Sequence, residues 1–496
     1  MPDNAPEQLI LVLDEGTTST RAMLFTAKGD VRGTAQHDLT QFYPHDGWVE
    51  HDAAEIWEKT LAAARAMVAE AGGAHNIAAI GITNQRETVV AWDKTTGQPL
   101  ARAIVWQDRR TAPICEKLRA GGHEPAVTEA TGLLLDPYFS ATKMRWLLDN
   151  QPAVADAAAR GTLAFGTIES WLVWNLTGGA AHISDASNAS RTLLLPLVGA
   201  SWDKGLCALL GIPAAALPQV VDTSGPLAST APGVFGAAIP ITGMAGDQQA
   251  ATIGQGCLAP GRVKATYGTG AFVLASTGSA VPRSAHRLLG TVLTQTGGQR
   301  RYALEGSVFV AGSLIKWLRD SLGLIAAAAE TETLARSVPD SGGVVVIPAL
   351  SGLGAPHWRP DVRGQISGLS FAAGKPQIVR AALEAMAHQT HDLAAAFAAD
   401  GAAWQDLRID GGMAANDWMA QDIADILRLP VCRPASVETT ALGAAMLAAH
   451  GAGLYPSLEA AVEAMQGPSR RFDPAMDSAA RTARLAGWRA ALERLV

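Results

Sequence analysis

Apolar runs alternate with polar segments along this chain, and their spacing predicts a mixed α/β protein. Short runs rich in small and β-branched apolar residues have the length of buried strands: IAAIGIT (77–83), TVVAW (88–92), IPITGMAG (239–246) and GGVVVIPAL (342–350). Segments with helical spacing lie between them, at residues 52–71, 142–149, 167–176, 309–322, 377–398 and 416–427. Asp52, with Glu55 three residues later, has the pattern of a helix N-cap.

The opening segment LVLDEGTTSTRAMLF (11–25) predicts a β-hairpin with a polar turn. Residues 9–13 and 21–25 form its two antiparallel strands, and Gly16 permits the tight reversal between them. A turn so rich in hydroxyl and backbone N–H groups can bind phosphate, and Asp14 could hold a metal ion there. Many hairpins carry Gly and Thr in their turns for backbone reasons alone, so this segment by itself leaves both interpretations open.

A second segment, GRVKATYGTGAFVLAST (261–277), repeats this strand, Gly/Thr turn and strand about 250 residues later. The repeat predicts two related halves, whose turns at either side of a cleft can bind one polyphosphate. No Ser/Pro-rich linker marks a domain boundary, so the boundary is placed just before the repeated segment. We therefore expect a first domain over residues 1–256 and a second over 257–496. Helices from about residue 453 are expected to pack on the second domain.

Composition and charge exclude several classes of protein. The 496 residues include 39 Lys plus Arg and 46 Asp plus Glu, a formal net charge of −7 without blocks of like charge, so we expect no nucleic-acid partner. The cysteines are far apart and form no CxxC or Cys/His cluster: Cys115, Cys207, Cys257 and Cys432. The N-terminus lacks the pattern of a signal peptide, and no run approaches 18 apolar residues, so we expect a soluble cytoplasmic protein without membrane insertion.

Other nucleotide-binding motifs are missing from the sequence. GLSFAAGKP (368–376) is similar to a P-loop, but Pro376 stands where Ser or Thr is needed. The sequence has no GxGxxG after a strand, no protein-kinase catalytic loop and no GxSxG elbow. Any phosphate binding is therefore expected to use the paired hairpins.

Ten segments, in order along nearly the whole chain, resemble the glycerol kinases of the FGGY carbohydrate kinase family. They are DEGTTSTR (14–21), GWVEHD (47–52), GITNQRET (81–88), IVWQDRRT (104–111), DPYFSATKMRWLL (136–148), NASRT (188–192), GMAGDQQAA (243–251), TYGTGAFVL (266–274), LSGLGAPHW (350–358) and DGGMAANDWMAQ (410–421). The resemblance implies the two-domain actin-like, ribonuclease H-like α/β fold, an internal duplication whose domains close over ATP and substrate.

The resemblance also implies transfer of a phosphoryl group from Mg²⁺-ATP to glycerol, giving sn-glycerol 3-phosphate, with Asp247 as the catalytic base. Such a reaction needs a carboxylate that accepts the hydroxyl proton. Asp247 follows an apolar strand and precedes a helical segment, so its side chain would project into a cleft. Without the resemblance, a capping role for the helix opening at Gln248 is the better interpretation.

The substrate-binding residues implied by the resemblance are Arg86, Glu87, Trp106, Tyr138, Asp247, Gln248 and Phe272. An Arg supplies donors in a fixed fork and a Glu supplies acceptors, which together suit the three hydroxyls of glycerol. Taken alone, adjacent Arg and Glu residues are more often a surface ion pair, and Trp106 and Phe272 would be ordinary core aromatics.

The predicted nucleotide-binding residues include Thr17, Thr18, Ser19 and Arg21 of the first turn and Thr269 of the second, whose hydroxyl, N–H and charged groups suit phosphate. The resemblance adds Gly312, Gly412 and Asn416. Glycine at position 412 makes physical sense because it lets backbone approach a ligand closely, and Asn416 would also suit a helix N-cap. Asp14 and Asp247 are the implied Mg²⁺ ligands, since this ion usually takes only one or two carboxylates and keeps several waters.

Some positions depart from the family pattern. Glu15 stands where Gln is usual, and we expect it to add negative charge beside the phosphates. Lys316 stands where a nucleotide-contacting Gln is usual, so that contact is not expected in the same form. The loop TAPGVFGAAIP (230–240) lacks the Gly/Arg pattern for fructose 1,6-bisphosphate and has no His for phosphotransferase-type activation, so neither control is expected.

Two alternatives compete with phosphorylation of glycerol. An FGGY kinase for another polyol or ketose is disfavoured, because a longer substrate would need a roomier pocket than the implied residues provide. An actin- or Hsp70-like ATPase switch leaves those polyol-binding residues unexplained. We also expect a homo-oligomer, either a dimer or a tetramer.

Overall fold

Strands and helices alternate throughout the computed structural model, which describes residues 8–359 and 361–495. The strands are β1 Leu9–Glu15, β2 Ser19–Thr26, β3 Val31–Asp38, β4 Glu50–His51, β5 Ile77–Asn84, β6 Val90–Asp93, β7 Ala103–Ile104, β8 Leu163–Gly166, β9 Ile183–Asp185, β10 Gln219–Val221, β11 Ser224–Ser229, β12 Pro240–Gly246, β13 Arg262–Tyr267, β14 Ala271–Gly278, β15 Leu289–Thr296, β16 Gln299–Val308, β17 Val345–Ile347, β18 Gln365–Ser367, β19 Asp406–Asp410, β20 Val431–Pro434 and β21 Ser469–Phe472.

The helices occupy the intervals between these strands. They are α1 Ala53–Glu70, α2 Ala112–Ala120, α3 Glu124–Thr131, α4 Ser140–Asn150, α5 Pro152–Arg160, α6 Ile168–Leu176, α7 Ala186–Ala189, α8 Lys204–Leu210, α9 Pro232–Phe235, α10 Asp247–Gly254, α11 Gly312–Asp320, α12 Glu330–Arg336, α13 Lys375–Ala399, α14 Asp417–Leu427, α15 Thr439–Gly451, α16 Leu458–Met465 and α17 Ser478–Leu492. Each segment predicted from the sequence pattern contains an element of the expected type. Of the helices in the described ranges, none is long and apolar enough to cross a membrane.

Two large sheets contain the same arrangement of five strands. In the first sheet, β1, β2 and β3 are antiparallel neighbours, β5 pairs parallel with β1, and β12 pairs parallel with β5. In the second sheet, β13, β14 and β16 are antiparallel neighbours, β19 pairs parallel with β13, and β20 pairs parallel with β19. Edge strands extend each sheet, β11 the first and β15 and β21 the second. The repeated order confirms the predicted duplication.

Both predicted hairpins are present, and each turn lies at the end of the first strand of its sheet. The β1–β2 ladder closes at the pair Glu15 and Thr20, where the Gly16 N–H donates to the Ser19 carbonyl at 3.0 Å. The β13–β14 ladder closes at Tyr267 and Ala271 in the same way. The two polar turns therefore occupy equivalent positions in the two halves.

Strand β1 is apolar without interruption over residues 9–13, because helices cover both faces of the first sheet. Ile10 and Val12 point to one face and pack in a cluster with α10 and α15. Leu11 and Leu13 point to the other face and pack in a cluster with α1 and α6. Successive side chains of a strand alternate between faces, so a strand buried on both sides reads as a continuous apolar run.

The chain returns to the first sheet near its C-terminus. Helices α15 and α16 belong to the same apolar cluster as Ile10 and Val12, and the Tyr455 hydroxyl donates to the Ala27 carbonyl. Helix α17 packs in the second core through Leu485 and Trp488. The expectation that the C-terminal helices pack on the second domain is therefore wrong for α16 and right for α17. The domain ranges themselves stay a prediction.

Helices α10 and α15 approach each other closely through Gly443. A Cβ atom there would lie 1.8 Å from the carbonyl oxygen of Ala250. We expect Gly443→Ala to lower the free energy of unfolding by about 1–3 kcal/mol, because the added methyl pushes the helices apart. Urea unfolding followed by circular dichroism would measure this change. Gly467→Ala is the matched control, since a Cβ at that residue meets no atom within 4 Å; equal stability of the two variants would contradict the close contact.

Candidate active site

The turn of the first hairpin lies beside a buried carboxylate and an aromatic side chain. Asp14 is only 5 % exposed and forms an ion pair with Arg21, whose other terminal nitrogen is 2.7 Å from Oε2 of Glu438. Burial raises the pKa of Asp14, while Arg21 opposes this effect. The Thr17 hydroxyl accepts a hydrogen bond from Nε1 of Trp106 at 2.9 Å. Thr17, Thr18, Ser19 and Arg21 thus surround one end of β1.

Glu15 points away from this turn, because neighbouring residues of a strand face opposite sides of the sheet. Its side chain is fully buried against α1 and accepts hydrogen bonds from the hydroxyls of Thr20 and Thr60. Burial raises the pKa of Glu15 to about 8. The expectation that Glu15 adds negative charge beside the phosphates is therefore wrong: the carboxyl lies in the core and is mostly neutral at pH 7.

Arg86, two residues after the end of β5, connects two of the predicted site residues. Its Nε is 3.3 Å from Oδ1 of Asp247, and its Nη2 donates to the Tyr138 hydroxyl at 3.2 Å. Asp247 is the first residue of α10, with a side chain 34 % exposed, and Gly246 holds the cap position. The capping alternative therefore does not account for Asp247, whose carboxylate lies beside Arg86 and is partly exposed to solvent.

Arg86 and Glu87 belong to a buried group of four charges, so the surface ion-pair alternative is wrong. The Glu87 Oε1 accepts from Nε of Arg191 at 2.7 Å, and Glu305 accepts from both arginines. All four side chains are at most 3 % exposed. Glu87 adopts a left-handed backbone with φ of 63°, which is uncommon for a residue with a side chain.

Sequence reasoning missed Arg191 and Glu305. Arg191 lies inside NASRT, one of the segments that carried the resemblance, but no role was assigned to it. Glu305 lies in β16 with apolar neighbours in the run YALEGSV (302–308). An apolar strand is expected to be buried, and a single carboxylate within it then requires a cationic partner. The lone Glu in this apolar run could therefore have identified Glu305 as part of a buried ion pair.

Aromatic side chains from both halves form one wall beside Asp247 and Arg86. The Trp106 ring lies edge to face with Tyr138 at 5.7 Å and with Phe272 at 6.4 Å between centroids. Phe272 belongs to β14 of the second sheet, so the wall spans the two halves. The structure therefore brings two groups of predicted substrate-binding residues together. The polar groups of Arg86, Asp247 and Tyr138 contact one another, and the rings of Trp106 and Phe272 lie beside them.

Gln248 contacts the second half through a buried lysine. Its side-chain oxygen accepts from Nζ of Lys264 at 2.5 Å, and Lys264 is fully buried on β13. Burial lowers the pKa of Lys264. Since an ammonium group only donates, the Gln248 amide must turn its oxygen toward Lys264, and its NH₂ group stays available as a donor.

A cavity of about 680 Å³ opens beside the turn of the second hairpin. Thr269, Gly312, Gly412 and Asn416 line it together with Lys316. Asn416 also caps α14, as predicted, because its side-chain oxygen accepts from the Met419 N–H at 3.0 Å. A cavity of this size suits a drug-sized or nucleotide-sized ligand.

The two glycines of this cavity differ in what surrounds them. A Cβ on Gly312 would lie 2.6 Å from the Gly268 carbonyl oxygen, so this glycine permits a close backbone contact. A Cβ on Gly412 would meet no atom within 4 Å. Gly412 therefore leaves space open toward the cavity.

Models of two protein domains match the chain in succession. The N-terminal domain of the FGGY family of carbohydrate kinases matches residues 9–254, and the C-terminal domain of that family matches residues 263–452. The chain belongs to the FGGY family of carbohydrate kinases. This FGGY chain has the actin-like fold that the sequence resemblance implied.

Curated FGGY relatives cover nearly the whole chain. The glycerol kinase of Rhodospirillum rubrum is 53 % identical over 488 residues, which are 98 % of this chain and 98 % of that protein. The glycerol kinase of Alcanivorax borkumensis is 54 % identical over 488 residues, with the same coverage of both chains.

Solved structures of the family superpose over similar lengths. The crystal structure of Plasmodium falciparum glycerol kinase with ADP has a TM-score of 0.93 at 33 % identity and covers 99 % of this chain and 98 % of that one. The xylulose kinase of Rhodospirillum rubrum has a TM-score of 0.85 at 26 % identity and covers 98 % of this chain and 99 % of that one.

The buried Glu15 generates a pH-dependent prediction. Between its ordinary pKa of 4.5 and its raised value of about 8, Glu15 is ionised in the unfolded chain and neutral in the fold. Folding then takes up a proton, so the contribution of Glu15 to stability is present below pH 4.5 and is lost as the pH rises through 8. We expect the free energy of unfolding of Glu15→Gln, relative to wild type, to increase by at least about 1 kcal/mol between pH 5 and pH 8.

Urea unfolding at the two pH values would measure this difference. Glu58→Gln on the exposed side of α1 is the control and should show no comparable change. A Glu15→Gln difference that is independent of pH would mean that Glu15 is ionised in the fold at neutral pH.

Proposed function

We propose that this protein is a glycerol kinase, which transfers the γ-phosphoryl group of ATP to a terminal hydroxyl of glycerol and releases sn-glycerol 3-phosphate and ADP. The observation that carries the proposal is the meeting of Asp247, Arg86 and Tyr138 beside the aromatic wall of Trp106 and Phe272. Curated relatives that carry this name are about 53 % identical over nearly the full chain, which supports the same substrate.

Glycerol has a hydroxyl-bearing edge and a carbon face, and the site offers a matching surface for each. Arg86 and the NH₂ group of Gln248 supply donors, and Glu87 supplies an acceptor, because Arg191 engages only its Oε1. Trp106 and Phe272 would cover the carbon face.

Asp247 is proposed to act as the general base. Its Oδ1 is held by Arg86 at 3.3 Å and by the Gln248 N–H at 2.7 Å, which orients the carboxylate toward the cleft. As the glycerol oxygen bonds to the γ-phosphorus, the carboxylate accepts the hydroxyl proton, and the bond between the γ-phosphorus and the bridging oxygen of ADP breaks.

The nucleotide is proposed to span the two halves. Its adenosine would occupy the 680 Å³ cavity lined by Gly312, Gly412 and Asn416. Its phosphates would lie between Thr17, Thr18, Ser19 and Arg21 of the first hairpin and Thr269 of the second. Both turns present backbone N–H and hydroxyl donors, which suit phosphate oxygens.

Asp14 and Asp247 fit a magnesium ion by their chemistry. Both are carboxylates, the ligand type that Mg²⁺ prefers, and the charge of Asp247 adds to burial in raising the pKa of Asp14. A bound cation would offset this like-charge repulsion. When bound, Mg²⁺ would neutralise charge on the phosphates of ATP.

We expect Asp247→Asn to lower kcat by about 10²–10⁴-fold, because the proton acceptor is lost while the shape of the side chain is kept. ADP release would be measured with no acceptor, with glycerol, and with erythritol, xylitol, xylulose or gluconate. The exposed Asp473→Asn is the control and should leave turnover unchanged. Preference for a longer acceptor would mean that the protein is an FGGY kinase for another polyol or ketose. ADP release without any acceptor would mean that it is an ATPase switch.

Gly412→Val tests the nucleotide cavity, because a Cβ at this residue meets no atom within 4 Å and the added side chain would enter the cavity that Gly412 lines. We expect the KM for ATP to rise at least about tenfold, while thermal stability and the affinity for glycerol stay close to wild type. Gly467→Val, also at an open position, is the matched control. An unchanged KM for ATP would place the adenosine elsewhere.

Cytoplasmic location and a homo-oligomeric state stay predictions.

A further inference from the structure

Glu305 is a fully buried carboxylate that joins the two halves of the molecule. It lies on β16 of the second sheet, whereas Arg86 and Arg191 belong to the first half. Its Oε2 is 2.6 Å from Nη1 of Arg86, and its Oε1 is 3.1 Å from Nη2 of Arg86 and 3.2 Å from Nη2 of Arg191. Each carboxylate oxygen therefore already accepts from a guanidinium group.

This pattern separates the role of Glu305 from that of Glu87. Both are buried glutamates of one charge cluster, but among residues 8–359 and 361–495 the Glu87 side chain accepts a hydrogen bond only at Oε1, from Arg191. Glu305 contacts both terminal nitrogens of Arg86, a two-point geometry that fixes the plane of the guanidinium. The remaining Nε of Arg86 then lies 3.3 Å from Oδ1 of Asp247.

We propose that Glu305 is a positioning residue of the second half, which holds Arg86 in the orientation that binds the acceptor polyol and fixes the carboxylate of Asp247. This inference rests on the proposed function of the site. It makes the polyol pocket of the first half depend on a carboxylate that the second half supplies.

The surroundings of Glu305 keep it in place. Strand β15, its neighbour in the second sheet, packs through Leu289 into the core of the first half. The Thr291 hydroxyl of β15 lies 3.1 Å from the Ser190 hydroxyl and accepts from Nε2 of Gln249 at 3.0 Å. Since apolar and polar contacts join the halves at this seam, Glu305 forms a fixed support for Arg86.

Loss of the negative charge would leave Arg86 with two other carboxylates within reach. These are Asp247 at 3.3 Å and Glu87 at 3.9 Å. A guanidinium released from Glu305 would move toward them, because buried opposite charges attract strongly. Arg86 would then occupy the groups that bind glycerol, while the nucleotide cavity of the second half would keep its lining.

The test compares Glu305→Gln with Glu384→Gln, which removes another buried carboxylate, paired with Arg380 on α13. We expect Glu305→Gln to raise the KM for glycerol, and the Kd for glycerol measured by calorimetry without nucleotide, about 10–100-fold. The KM for ATP should stay within about twofold of wild type. Glu384→Gln should leave both KM values unchanged, although its thermal stability falls.

Glu305→Asp keeps the charge and should restore part of the affinity for glycerol, which a residue needed only for packing would not do. An unchanged glycerol Kd in Glu305→Gln, or an equal rise of both KM values, would overturn the proposal. If Glu305→Gln does not fold, Glu305→Asp decides instead: its shorter side chain keeps the charge but cannot keep both contacts with Arg86, so we expect a glycerol Kd above that of wild type, and an unchanged Kd would overturn the proposal. Turnover of wild type with glycerol tests the proposed function separately from the role of Glu305.

Discussion

Two guanidinium groups and two carboxylates are buried together at the seam of this molecule, and the rest of the cleft depends on their mutual neutralisation. Removing an ion from water costs several kcal/mol even after relaxation, so each of these side chains requires an opposite charge at hydrogen-bond distance. The arginines lower the pKa of Glu305 to about 2, while burial raises the pKa of Glu87. Since the partners come from the segment after β5, from the segment after α7 and from β16, their pairing fixes how the two halves meet.

The hairpins, the strands and the main helices could be predicted from the sequence because their signals are local. The run at residues 9–13, the turn around Gly16 and the repeat at 261–277 each lie within one short segment. The family resemblance supplied Asp247, Arg86 and the aromatic wall, and the structure brings these residues together. Their individual roles rest on the proposed function.

The pairing of buried charges could not be predicted in the same way. Glu305 and Arg86 are 219 positions apart, and Arg191 and Glu87 are 104 positions apart, so no local pattern connects them. The orientation of Glu15 was missed for a related reason. Asp14 and Glu15 are adjacent acidic residues, but only the three-dimensional placement of β1 decides which of them faces the cleft and which faces Thr60 on α1.

The return of α15 and α16 to the first sheet bears on how the protein is made. During synthesis the face of β1 that carries Ile10 and Val12 has no complete cover until residues 439–465 have left the ribosome. The first half cannot finish its core before nearly all of the second half has emerged. An apolar sheet face that stays exposed for so long is prone to aggregation, so the interval before residues 439–465 emerge is the vulnerable stage in the synthesis of this chain.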